Sequence, residues 1–316
     1  MAAKLKKKKK LKKQFQKISS KMIDKALDAL SQQGVAVRGK GLHNARKRFK
    51  QLRGMLRLIR YGLGKKAYKR ENSALRNLGK PLSAVRDADV MIETLDGLIA
   101  HFQDQVSEGL FKTLRGKLVS RRRMLRRQIL EKEKAMAKVA ASTKKVRKQI
   151  QAWPSFPDRF KILKQGIGNT YEQARQQMNI ALNEPTVENY HAWRKSVKYL
   201  RYQLEILESL WPPLMGEMAK QSHHLADLLG TDHDLVVLGE LAQNELTEFL
   251  EDPEAELLTA LINQRRAELE HEAMALGQRL YAETDKQFTQ RLKGYWQTWQ
   301  SDGQAPAQFP TTIRVA

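Results

Sequence analysis

The sequence predicts an all-α protein made of two copies of one helical unit. Three observations predict it. From about residue 14 to 300, apolar residues recur at the 3/4 spacing of helices, without sustained period-two alternation or β-branched enrichment. Gly, Pro and Asn cluster at a few points only. One helix-length segment, dense in Lys and Arg, occurs twice in matching register.

Read in order, the chain of 316 residues opens on nine lysines within its first 17 residues, "MAAKLKKKKKLKKQFQK". Residues 1–13 are expected to be a disordered basic arm, because such a composition buries little. The first helical unit follows over 14–150, interrupted by "GVAVRGKG" at 34–41 and "NLGKP" at 77–81. A linker at 151–157 contains "WPSFP". The second unit covers 158–300, with breaks at "NEP" (183–185), "WPP" (211–213) and "EDP" (251–253), and 301–316 form a C-terminal tail.

Composition excludes several classes. Without Cys, the chain has no disulfides and no thiolate metal site. It contains neither an eighteen-residue apolar run nor the order of a signal peptide, so a soluble, cytoplasmic protein is expected. The net charge of +24 is uneven: residues 1–150 hold 42 Lys and Arg against 11 Asp and Glu, and residues 151–316 hold 16 against 23. Discounting the nine arm lysines still leaves +15, so a folded surface is basic. Nucleic acid, polyphosphate and anionic membranes are the partners such a surface attracts.

The repeated segments are "LHNARKRFKQLRGMLRLI" from Leu42 and "YHAWRKSVKYLRYQLEIL" from Tyr190. Placing His43 on His191 aligns Arg46 with Arg194, Lys47 with Lys195, Lys50 with Lys198 and Arg53 with Arg201. The register persists: Asp87 in "LSAVRDADV" lies 44 residues past His43, and Asp234 in "LGTDHDLVV" lies 43 past His191. Each copy resolves into two stripes. Leu42, Ala45, Phe49, Leu52, Leu56, Ile59 and Leu63 form an inward face, matched by Tyr190, Trp193, Val197, Leu200, Leu204, Leu207 and Trp211. About 100° around the helix runs a basic ridge: His43, Arg46, Lys47, Lys50, Arg53, Arg57 and Arg60, matched by His191, Arg194, Lys195, Lys198 and Arg201. Like charges at i, i+4 repel. The second ridge arises in acidic surroundings, which speaks for a bound anion as the compensation rather than for a merely solvated face.

These two segments, each followed about 40 residues later by "RDAD" or "DHDL", resemble the twin signatures of the conserved histidine α-helical domain, CHAD. The resemblance spans residues 14 to 300. It implies two pseudo-twofold-related four-helix bundles, basic helices lining a shared central surface or pore, and binding of inorganic polyphosphate by the ridge residues. The second copy departs where Glu205 and Glu208 replace Arg57 and Arg60, and where His233 replaces Arg86. CHAD domains are often joined to a catalytic triphosphate-tunnel domain with a Glu-x-Glu-x-Lys strand. "EKEK" at 131–134 has the wrong Lys spacing for it.

Catalysis is not expected. His223 and Asp227 at i, i+4 could share a metal, but they lack partners elsewhere. No nucleophile motif, acid–base pair or Gly-rich phosphate loop stands out. Asp87 and Asp234 are expected to hold ridge arginines or to cap a helix. The histidines either donate to phosphate near a helix N-terminus or tie the bundle together. No cofactor and no metal are expected. The expected function is non-catalytic polyphosphate binding, in the cytoplasm and alongside polyphosphate granules. Nucleic-acid binding through the same surface and the arm is the alternative. Base stacking would need rings among the cations, and Tyr202 is the best placed. A membrane partner is not expected, because the face beside the ridge is committed to packing.

Overall fold

The structure, a computed structural model, describes residues 4–31, 35–107, 109–246 and 252–301. Helices α1 (Leu11–Ser31), α2 (Val35–Leu58), α3 (Arg60–Gly79), α4 (Ser83–His101), α5 (Lys112–Arg126) and α6 (Ala135–Gln151) precede the linker. Helices α7 (Phe160–Asn183), α8 (Val187–Leu207), α9 (Pro212–Glu245), α10 (Asp252–Leu280) and α11 (Asp285–Ser301) follow it. No strand occurs among the described residues, and the fold is all-α. The expected tail beyond Ser301 lies outside them.

Element order and packing run in parallel through the two halves. α1 packs on α2 and α6 as α7 packs on α8 and α11, and α4 meets α5 as α9 meets α10. At the centre, α2 crosses α8 and α4 lies on α9, so each half meets the other through like elements. The buried apolar residues of both halves form one continuous cluster.

Local chemistry explains where the halves diverge. Pro81 lacks an N–H and cannot continue a helix. The chain therefore turns through a 3-10 segment, Lys80–Leu82, and α3 separates from α4. Leu228 occupies the matching place, and α9 runs unbroken for 34 residues. Gly64, at φ 77° and ψ 160°, kinks α3 where Pro212 and Pro213 open α9; only glycine adopts that backbone readily.

Three expectations need correction. The glycine-rich segment at 34–41 does not interrupt the chain from Val35 onward: α2 begins there and continues through Gly39 and Gly41. Trp211 leaves the inward stripe; it is 48% exposed and meets Tyr295 edge-on at 5.0 Å, while the other thirteen stripe residues are buried. Residues 4–13 are not a free arm. Leu5 is buried at 3% exposure, donates its N–H to the Ile206 carbonyl at 3.4 Å and accepts from the Ser209 hydroxyl at 2.8 Å. Lys4 pairs with Glu208 at 2.7 Å, and the Leu11 N–H donates to Asp158 at 2.6 Å. Two buried apolar side chains among the lysines, Leu5 and Leu11, together with these polar contacts hold the segment in place.

The halves touch most tightly at Gly166 of α7. A Cβ there would lie 1.9 Å from the Leu58 carbonyl oxygen, at the end of α2. Backbone cannot yield as a flexible side chain does. Gly166→Ala is expected to cost about 3 kcal/mol through overpacking, read as a lower urea midpoint with an unchanged m-value.

Candidate functional site

Four helices enclose a cavity of about 640 Å³. α2 contributes His43, Arg46, Lys47 and Lys50, and α8 contributes Arg194, Lys198, Arg201 and Tyr202. α4 supplies Arg86, Asp87, Val90 and Met91; α9 supplies His223, Asp227, Thr231, His233, Asp234 and Val237 among others. The apolar stripes of α2 and α8 turn into the core, which aims the ridges at each other across this space. Thr186 caps α8 by accepting from the Asn189 N–H at 3.3 Å.

The structure divides the expected site residues. Eight line the cavity: His43, Arg46, Lys47, Lys50, Arg194, Lys198, Arg201 and Tyr202. Arg53 and Arg57 turn elsewhere, donating to Asn72 at 3.1 and 3.2 Å, and Arg57 sits over the Tyr199 ring at 3.7 Å. Arg60 lies beside Tyr61 and Tyr68 at 5.3 and 5.1 Å. Lys195 and His191 are outside the lining. Tyr202 is no open stacking platform: it is 5% exposed and wedged at the crossing of α2 and α8. There a Cβ on Gly54 would come within 2.9 Å of it. Neither helix N-terminus serves the histidines, since His43 is two turns inside α2 and His191 is the fifth residue of α8.

Matched pairs recur. Arg46 and Asp87 stand 3.6 Å apart and Arg194 and Asp234 3.8 Å, too long for hydrogen bonds. Arg46 Nη1 and Arg194 Nε are buried and meet no protein acceptor. Arg201 is neutralised by Glu205 at 2.9 Å. Arg86 is gripped by both carboxylate oxygens of Glu93 at 2.8 Å; burial opposes its charge, and Glu93 outweighs burial and raises its pKa. Arg86 and His233 were not expected as lining residues. Their signal was the recurring Arg-Asp or His-Asp dipeptide, one position before the carboxylate read as a rotamer clamp.

The electrostatic centre is Lys50 with Lys198. Burial first, then Arg46 and Arg194, bring Lys50 down to about 8. Burial, Arg194 and Lys50 bring Lys198 down to about 7. Lys50 is open to the water of the cavity yet walled by protein, so it loses solvation without losing access. Asp234 is raised, burial outweighing Arg194, Lys198, Arg86 and Lys50. Burial also lowers Arg46, and with Arg86 and Lys47 it lowers His43. Seven Lys and Arg line the cavity against three carboxylates, Asp87, Asp227 and Asp234, of which Asp227 is taken by His223 at 2.6 Å. The lining is therefore net positive.

The sequence matches the CHAD domain family over residues 21–243, which contain all thirteen expected site residues. The chain belongs to the CHAD domain family. The crystal structure of the CHAD domain from the plant Ricinus communis has the same fold, with a TM-score of 0.56 at 18% identity over 94% of this chain and 95% of that one. No curated protein matches in sequence. The Lys-rich segment precedes the CHAD match.

The lysine pair makes a prediction for the free protein. An unfolded lysine binds its proton up to about pH 10.4, whereas the folded pair releases protons from about pH 7 to 8. Burial of the two charges, with repulsion from their cationic neighbours, therefore destabilises the fold fully below pH 7, and the loss fades as pH rises to 10. Lys198→Met should raise the melting temperature by roughly 2–4 °C at pH 7, with the gain shrinking toward pH 10 in differential scanning fluorimetry.

Proposed function

We propose that this CHAD protein binds inorganic polyphosphate in the central cavity and does not transform it. The observation that carries the reading is the confrontation of Lys50 and Lys198. They are equivalent residues of two equivalent helices, held together at a cost that a polyanion removes by bringing its own charge between them. A chain with one negative charge per phosphate meets cations from both halves at once, so contact with one ridge raises the effective concentration at the other. The buried, unpartnered nitrogens of Arg46 and Arg194 provide charge-assisted donors on opposite walls.

Binding without chemistry fits the lining. Asp87 and Asp234 each stand beside an arginine, and His223 is committed to Asp227. No group of three or more His, Asp or Glu gathers as for a metal among the described residues. Nucleic acid is the weaker reading, because the ring in the cavity, Tyr202, is packed against α2 and offers no face to a base. No helix among the described residues is long and apolar enough to cross a membrane, and the reading places the protein in the cytoplasm beside polyphosphate granules.

Two experiments test it. Incubation with long-chain polyphosphate and Mg²⁺ or Mn²⁺ should leave the chain-length distribution on a gel unchanged; shortening abolished by a cavity substitution would refute binding alone. Arg46, Lys50, Arg194 and Lys198 changed to Ala remove the same formal charge as Lys6, Lys9, Lys10 and Lys13 changed to Ala. The cavity variant should lose at least about 1.4 kcal/mol more, tenfold in Kd. Equal losses, or tighter binding of single-stranded DNA than of polyphosphate at matched phosphate concentration, would overturn the reading.

A further inference from the structure

Three histidines are each paired with a carboxylate, and two in the second half are held differently. His101 pairs with Glu268 at 2.8 Å, His223 with Asp227 at 2.6 Å and His224 with Glu272 at 2.9 Å. His233 and His191 instead face each other, ring centroids 4.2 Å apart and planes tilted by 40°. The Nδ1 atoms of both are buried and meet no protein group. His233 lines the cavity, and His191 stands behind it on α8. In the first half the place of His233 is taken by Arg86, a permanent cation held by Glu93.

We propose that His233 is a phosphate ligand that works only as an imidazolium, so the second half of the cavity gains a cation, and grips polyphosphate more tightly, when a proton arrives with the ligand. The inference rests on the polyphosphate reading and adds its regulation. In the free protein, burial, Arg194, the facing His191, Lys198 and Lys195 hold His233 down to about 4, and burial with Lys195, Arg194 and Lys198 holds His191 down to about 4 as well. A phosphate seated among those cations reverses the local field. The imidazole then takes a proton and gains a second N–H to donate.

Other groups near the cavity respond alike in wild type and in any variant at 233; among them is His43 of α2, held low by burial, Arg86 and Lys47. From α4, Arg86 keeps its charge throughout. From α10, Arg266 donates to Asp232 at 2.8 Å and to Glu270 at 2.8 Å. Glu270 is raised to about 6 by burial and by Asp232, so it titrates in the same range. It does not line the cavity, however, and its contribution is common to wild type and to any variant at 233. On α9, Asp234 faces Arg194, and the lysine pair, Lys50 of α2 and Lys198 of α8, titrates at higher pH.

The test follows binding of long-chain polyphosphate, whose internal phosphates keep one charge each throughout, from pH 6.5 to 5.0 by isothermal titration calorimetry in two buffers. Wild type should bind about tenfold more tightly at pH 5.0 and take up close to one proton more than His233→Asn. His233→Asn should change less than twofold. His233→Arg, which reproduces the first half, should bind at pH 6.5 as wild type does at pH 5.0 and remain flat. Equal slopes and equal proton uptake in wild type and His233→Asn overturn the inference while the proposed function stands. Failure of wild type to bind at either pH overturns both.

Discussion

Everything in this molecule is organised around two helices of like charge that cross at close range. α2 and α8 meet where Tyr202 lies against Gly54 and where the Gln203 amide donates to the Gly54 carbonyl at 3.2 Å. Just beyond that crossing stand Lys50 and Lys198. The approach is sustained from behind: eleven buried stripe residues on the two helices, the larger of them worth about 1.5–3 kcal/mol each when fully buried, outweigh the repulsion between a few cations. Core packing thus holds an electrostatic arrangement that charge alone would push apart.

Much of this could be read from residues alone, because helix periodicity is a local property and the repeat shows it twice. The register that placed Lys50 on Lys198 and Asp87 on Asp234 reappears as the pairs Arg46–Asp87 and Arg194–Asp234. What stayed hidden depended on distant partners. Arg53 and Arg57 share the ridge with Lys50, but Asn72 and Tyr199 draw them away. Leu5 looked like one residue in a lysine tract until its slot beside Ile206 was known. Tyr202 looked like an available ring, and only the crossing with α2 shows that it is packing.

The two halves are alike in plan and unlike in charge. In the first, Arg86 is a fixed cation clamped by Glu93. In the second, His233 stands in its place, and Glu205 neutralises Arg201. At this one position the first half therefore carries a fixed charge, and the second carries a group whose charge depends on its surroundings. A repeat that had kept Arg at both positions would bring another fixed charge to a centre where Lys198 is already pushed to about 7.

The docking of Leu5 has a consequence for how the chain is made. Its partners, Ile206 and Ser209, lie some two hundred residues downstream, with Lys4 and Glu208 separated by 204. At about 5–20 residues per second, the lysine tract emerges from the ribosome roughly 10–40 s before its binding place exists. Throughout that interval the strongly cationic tract has no place on its own fold to dock. Seating the tract is thus one of the late steps of assembly, made possible only when α8 has been built on the second half.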